Sequence, residues 1–263
     1  MAKLHAFEVG YCTHPACIAV RGAGIAPRKF PARAYLIETR QGCYLWDTGY
    51  SQHFEEFARG IYAPYKWVTP VSYDDNTDCM LAQLSAIGLG LSDLRGILLS
   101  HYHADHVAGL RDFPSVPLWS SPEALASIKG LRGLRALLQA FIPELLPTDF
   151  DARIRTFSPA QWRPLPEALS PFQHGWYMPE SDELIVVPLP GHAAGHIGAF
   201  VQTDSGWVLL ASDAAWATAG YESLVGPSEI AFLVQDSRAA YYETLKKLHA
   251  IYLRGIPIFL SHA

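Results

Sequence analysis

Residues 98–106 read Leu-Leu-Ser-His-Tyr-His-Ala-Asp-His, so three histidines and one aspartate fall within six positions. Packing needs no such density of imidazoles, whereas imidazole and carboxylate are standard ligands for first-row metals. The spacing also constrains the local geometry. Gly96-Ile97-Leu98-Leu99 is an apolar run of strand length, and a short buried strand is predicted there. Where the chain leaves that strand extended, His101 and His103 project to the same side. Asp105 and His106 are adjacent and cannot share that direction. They fall where the chain turns into a helix beginning at Val107, and they face a second point. One loop thus offers a nitrogen pair and an oxygen–nitrogen pair, which predicts two metal ions side by side. The rest of the chain has to supply the remaining donors.

Around that loop, short apolar strands alternate with helical stretches. Residues 5–11, 33–38, 42–47, 117–120, 183–189, 199–203, 207–211 and 257–260 read as strands, with 33–47 forming a hairpin. Ser51 is placed to cap a helix through Arg59, and Asp236-Ser237 to cap a long one over 238–253. Met80, Leu81, Leu84 and Ile87 recur at helical spacing, and Ser121-Pro122 reads as another helix start. Residues 13–31 read as a long loop and 151–180 as irregular. The aromatic residues Tyr62, Tyr65 and Trp67 serve either the core or one wall of a pocket. The leucine-rich stretch 123–146, with Phe141, suits a helix pair on the sheet, a hydrophobic lid or a dimer contact. Helices flanking strands in both halves predict an α/β fold, a four-layer sandwich with the site where strands of both halves end. No break in composition divides the chain, so residues 1–263 are expected to form a single domain.

The partners follow from charge. Only 17% of residues are charged, the net charge is −5 and no basic block occurs, so nucleic acid is not expected as a partner. No run approaches the length of a membrane span and no apolar leader precedes Phe7, so no membrane partner is expected either. Cys12, Cys17, Cys43 and Cys79 form no C-x-x-C pair, which suits free thiols in a reducing, cytoplasmic setting.

Ser-His-Tyr-His-Ala-Asp-His resembles the HxHxDH signature of the metallo-β-lactamase superfamily, and the resemblance extends over almost the whole chain. It implies the αββα form of the sandwich and a dinuclear site. In that correspondence His101, His103 and His192 hold one divalent ion. Asp105, His106 and His262 hold the other, and Asp213 bridges them. Trp46-Asp47-Thr48-Gly49 matches an element whose Asp supports the site from behind, and His196 matches a structural histidine. His262 is followed only by Ala263, so strand 257–260 has to anchor it. The donors are all nitrogen or oxygen, which suits zinc first, with manganese, iron or cobalt also compatible. The implied chemistry is attack by a metal-bridging hydroxide on an ester carbonyl, with Asp105 or a metal-bound water protonating the leaving group.

Within the superfamily, the stretch from Phe7-Glu-Val-Gly through Ala34-Tyr-Leu-Ile-Glu to Leu45-Trp-Asp-Thr-Gly looks most like the N-acyl homoserine lactone lactonases. That implies a small-molecule lactone with an apolar portion as substrate, in a quorum-quenching role. Pocket residues are then expected at His14, Phe141 and Trp216. Trp216 stands where those lactonases carry a tyrosine, and an indole donates a hydrogen bond but cannot act as a phenol does. The alternatives are a glyoxalase-II-like thioesterase and a ligand-binding or signalling member of the fold with weak turnover.

Overall fold

Strand side chains alternate between two cores, and that alternation sets the layering. The structure, a computed structural model, describes residues 1–179 and 181–263. Strands β1 (Lys3–Pro15), β2 (Pro27–Thr39), β3 (Gly42–Trp46), β4 (Val71–Ser72), β5 (Leu94–Leu98), β6 (Leu118–Ser120) and β7 (Ile154–Thr156) form one sheet in the order β4-β1-β2-β3-β5-β6-β7. Strands β8 (Trp162–Pro164), β9 (His174–Tyr177), β10 (Leu184–Pro188), β11 (Ile197–Thr203), β12 (Gly206–Ser212) and β13 (Ile258–Leu260) form the other, ordered β13-β12-β11-β10-β9-β8.

In β2, Ala34 and Leu36 pack outward beneath the helices of the first half, while Tyr35 and Ile37 pack inward between the sheets. In β10, Leu184 and Val186 join the inward layer, and Ile185 and Val187 face the outer layer with the helix Arg238–Leu253. β12 repeats the pattern, with Val208 and Leu210 inward and Leu209 and Ala211 outward. The result is helix, sheet, sheet, helix: the four-layer α/β sandwich. Ser51 and Ser237 accept from His53 N–H and Ala240 N–H at the expected helix starts.

Two stretches depart from the sequence reading. Residues 13–31 are the end of a hairpin rather than a free loop: Thr13 pairs with Lys29, His14 with Arg28 and Pro15 with Pro27, and residues 16–26 make the turn. Backbone pairing needs no apolar side chains, so a run rich in Gly, Pro and Arg concealed it. Residues 151–180 contain three short strands, β7, β8 and β9. β7 and β8 are edge strands, and the edge position of β8 tolerates its Pro164; the prolines between these short runs hid them.

Candidate metal centre

The parallel strands β3 and β5, and β12 with β13, end at one edge of the sandwich, and their following loops carry the polar residues. β5 delivers Ser100, His101 and His103, and the short helix Ala104–Val107 turns Asp105 and His106 to a second point. β10 leads to His192, β12 to Asp213 and β13 to His262. All seven sequence-expected ligands converge there, in two groups: His101, His103 and His192; and Asp105, His106, Asp213 and His262.

The donor atoms meet closely. His192 Nε2 lies 3.1 Å from His101 Nε2 and 3.0 Å from His103 Nδ1. A single ring N–H cannot satisfy both contacts, so lone pairs converge on a common point, which is the arrangement a cation requires. In the second group His262 Nε2 lies 3.3 Å from Asp105 Oδ2 and 3.1 Å from Asp213 Oδ2. His106 Nε2 lies 3.5 Å from Asp105 Oδ2 and 3.4 Å from Asp213 Oδ1. Asp213 Oδ2 is also 3.4 Å from His192 Nε2, which puts this carboxylate between the two groups. His106 Nε2 and Asp213 Oδ1 are buried without a hydrogen-bond partner, a cost that metal ligation removes. The donor set therefore fits divalent ions.

A shell of hydrogen bonds behind the donors aims them. Asp47 Oδ1 accepts from Ser100 N–H at 2.8 Å, and Oδ2 accepts from Ser100 Oγ–H at 2.7 Å and His106 Nδ1–H at 2.8 Å. Ser100 Oγ in turn receives His101 Nδ1–H at 2.9 Å. Both rings are thereby oriented with Nε2 toward the centre. His262 Nδ1–H donates to Pro31 O at 2.7 Å. Ser261 N–H donates to Ser212 O, and Arg33 N–H to Ser261 O, so the C-terminal histidine is held on both sides. Asp47 and Ser212, at the ends of β3 and β12, have φ of 58° and 45°. Such left-handed geometry in non-glycine residues costs energy and concentrates at functional sites.

Electrostatics divide the centre. Burial, reinforced by neighbouring imidazoles, holds His101 and His192 well below the usual histidine range, and burial pushes His103 down to about 4. That trio presents neutral rings. Burial also opposes protonation of His106 and His262, but the surrounding carboxylates of Asp105 and Asp213, with Asp47 at His106, outweigh it and hold both well above that range. Ligation of a metal through His106 and His262 would require the loss of those protons.

The remaining expected residues are distributed as follows. His196 stands outside both donor groups: its Nδ1–H donates to Leu189 O at 2.9 Å, and its ring lies 5.0 Å from that of His101. Trp216 and His14 line a cavity of about 550 Å³ whose floor includes His103, Asp105, His192, Asp213 and His262. Trp216 Nε1–H donates to Asp213 Oδ2 at 3.0 Å, so its one donor is turned to the Asp213 carboxylate. Phe141 is buried in the first core against Tyr102 and lines a neighbouring cavity that also touches His103 and His192, while its leucine-rich segment reaches the first cavity through Leu137, Leu138 and Ala140. Sequence reasoning passed over Ser100 and Ser212, although each directly precedes an expected ligand. It also passed over Ile230, Ala231 and Val234, which carry no polar signal.

A metallo-beta-lactamase superfamily profile matches residues 27–219. The chain belongs to that superfamily. Probable metallo-hydrolases of Mycobacterium bovis and Mycobacterium tuberculosis are each 27% identical over 208 residues, 76% of this chain and 61% of theirs. The chain thus spans less than two thirds of the length of these relatives. Among solved structures, an N-acyl homoserine lactone hydrolase with N-hexanoyl-L-homoserine at its metal centre aligns at 20% identity and TM-score 0.70, covering 99% of this chain and 92% of that one. A dizinc quorum-quenching lactonase aligns at 17% identity and TM-score 0.67, covering 99% and 87%. A probable metal-dependent hydrolase from Staphylococcus aureus aligns at 14% identity and TM-score 0.74, covering 99% and 89%. At such identities the likeness carries the fold, which the two-sheet topology already displays.

Proposed function

We propose that this chain is a dinuclear metal-dependent hydrolase that opens a lactone bearing an apolar chain, of the N-acyl homoserine lactone kind. The observation that carries the reading is the position of Asp213 between two converging donor groups, on the floor of a cavity with largely apolar walls. Two divalent ions, zinc by donor type, supply there Lewis acidity and a water made nucleophilic at neutral pH. His101, His103 and His192 would hold one, Asp105, His106 and His262 would hold the other, and Asp213 lies between the two donor groups. Hydrolysis breaks the acyl C–O bond, adds hydroxide to the carbonyl carbon and returns a proton to the leaving alkoxide. Asp105, at the cavity wall, is placed to pass that proton. Ile18, Phe30, Leu137 and Leu138 give an acyl chain apolar walls. Trp216 holds Asp213 in position rather than reaching the substrate oxygen. The whole of residues 1–263 serves as one unit here, because both sheets contribute ligands. The four free thiols suit a cytoplasmic setting.

The test combines metal analysis with a substrate panel. Protein purified without chelator is expected to hold close to two ions per chain, and Asp213→Ala to lose metal and activity together. Lactones, thioesters and β-lactams should be compared on the loaded enzyme, with ring-opened acid as the expected product. Thioester turnover without lactone turnover would replace the lactone reading. Absence of metal after loading would remove the centre itself.

A further inference from the structure

The mouth of the cavity carries two features that substrate turnover does not use. Four segments ring it, since Pro15 and Ile18, Pro64 and Val68, Leu137 and Leu138, and Ile230 and Val234 all line the same cavity. These segments also expose large apolar side chains to solvent. Trp67 is 78% exposed, Val68 70%, Leu233 77% and Ile25 83%, with Ile61 and Leu134 also open to solvent. Tyr62 Oη accepts from Gly133 N–H at 3.0 Å, and Arg21 N–H donates to Gly226 O at 2.9 Å, so the segments meet as neighbours. Clustered exposed apolar groups of this size mark a contact surface rather than ordinary scatter.

The second feature is charge. Residues 16–30, 59–69 and 129–140 contain eight of the chain's 20 Lys and Arg and none of its 25 Asp and Glu, in a chain of net charge −5. Arg21 pairs with Glu229 and Lys66 with Glu55. Arg28, Lys29, Arg59, Lys129, Arg132 and Arg135 are exposed and have no carboxylate partner among the described residues. The sequence shows no basic block because three separate segments contribute to this face.

We propose that the cavity mouth docks on an anionic lipid surface, with the exposed apolar side chains entering the headgroup boundary and the basic residues meeting lipid phosphates. Apolar groups interleaved with Lys and Arg are the composition of a surface-bound, non-spanning membrane contact. A second copy of the chain does not suit this face, because symmetric pairing would set basic residue against basic residue. Docking would place the open cavity against the phase in which an apolar substrate concentrates. The inference concerns attachment and holds whichever ester the centre cleaves.

Cosedimentation with vesicles tests it without any hydrolysis, so failure of the lactone reading leaves this test intact. The full chain is expected to bind phosphatidylcholine vesicles containing phosphatidylglycerol, to bind pure phosphatidylcholine far less, and to release as salt rises. Arg132→Gln with Arg135→Gln should weaken partitioning about 30-fold. Trp67→Ser with Leu134→Ser should weaken it comparably while circular dichroism stays unchanged. Brominated lipid should quench tryptophan fluorescence, and Trp67→Phe should bind but lose most of that quenching. No binding to anionic vesicles at low salt, equal binding to neutral ones, or binding indifferent to both double variants would each overturn the proposal. So would a dimer that these same variants dissociate.

Discussion

Asp47 shows how much a single residue behind the donors can control. It touches no other proposed ligand than His106, yet it accepts four hydrogen bonds, two from Ser100, one from His106 and one from Ser212, in a fully buried site. Asp47→Ala should therefore cut metal affinity by about 10- to 100-fold, the usual effect of removing a partner behind a ligand. It should also destabilise the fold, since each orphaned buried donor costs about 1–3 kcal/mol. Alanine is further disfavoured at φ 58°. Asp47→Asn tolerates that backbone better and keeps one acceptor oxygen, so it should retain the fold while still losing metal affinity. Isothermal titration with zinc alongside urea denaturation separates the two effects; unchanged zinc affinity in both variants would remove Asp47 from the site. Trp216 acts on the other flank, where its indole N–H orients the carboxylate that faces both donor groups.

At the scale of elements, the loop carrying His192 and His196 is set by a close approach of backbones. A Cβ on Gly195 would lie 2.1 Å from Ala124 N and 2.6 Å from Ser121 Oγ, and its φ is 66°. Ser121 Oγ–H donates to Gly195 O at 2.6 Å and accepts from Ala124 N–H at 3.0 Å, so the helix Pro122–Ile128 is seated on this loop by its own cap. Gly195→Ala is expected to cost about 2–4 kcal/mol, overpacking added to backbone strain. Gly130→Ala, at φ 72° with nothing within 4 Å, should cost only about 1 kcal/mol. Equal urea midpoints for the two variants would refute the seating argument. The cluster at 101–106 was legible from its own spacing, whereas His192, Asp213 and His262 were expected from the family resemblance, supported by their places at the ends of short apolar strands. The hairpin arms around Thr13–Lys29 were not legible, since their pairing is backbone to backbone and their side chains are polar or proline, and β7 to β9 were not, since runs of three or four residues are too short to show an alternating pattern. The cavity wall at Ile230–Val234 was hidden for a different reason: which apolar residues line a cavity is decided by tertiary packing, not by periodicity.

At the scale of the whole molecule, the centre makes stability depend on pH in opposite senses with and without metal. His103 and His196 have folded values of about 4, and burial holds His101 and His192 low as well. Between pH 6.5 and 4 the unfolded chain therefore binds protons that the folded chain refuses, and stability falls with falling pH at about 1.4 kcal/mol per unit for each such group. His106 and His262 have raised folded values, so their contribution is complete below pH 6.5 and is lost as pH rises through the folded values. Asp105 and Asp213 are held low and lose their contribution only in stronger acid. Chelated protein should thus be most stable near pH 6.5, with stability declining on both sides. Ions bound by His106 and His262 replace those protons, so loaded protein should lose the alkaline decline and become more stable up to the onset of global base effects. Urea midpoints measured from pH 4 to 9, with chelator and with excess zinc, read both limbs. Chelated protein whose stability climbs steadily through pH 9 would show that the second donor group does not hold protons against the carboxylates around it. The same measurement on Asp105→Asn should flatten the alkaline limb, because one of the two carboxylates that keep His262 charged is then neutral.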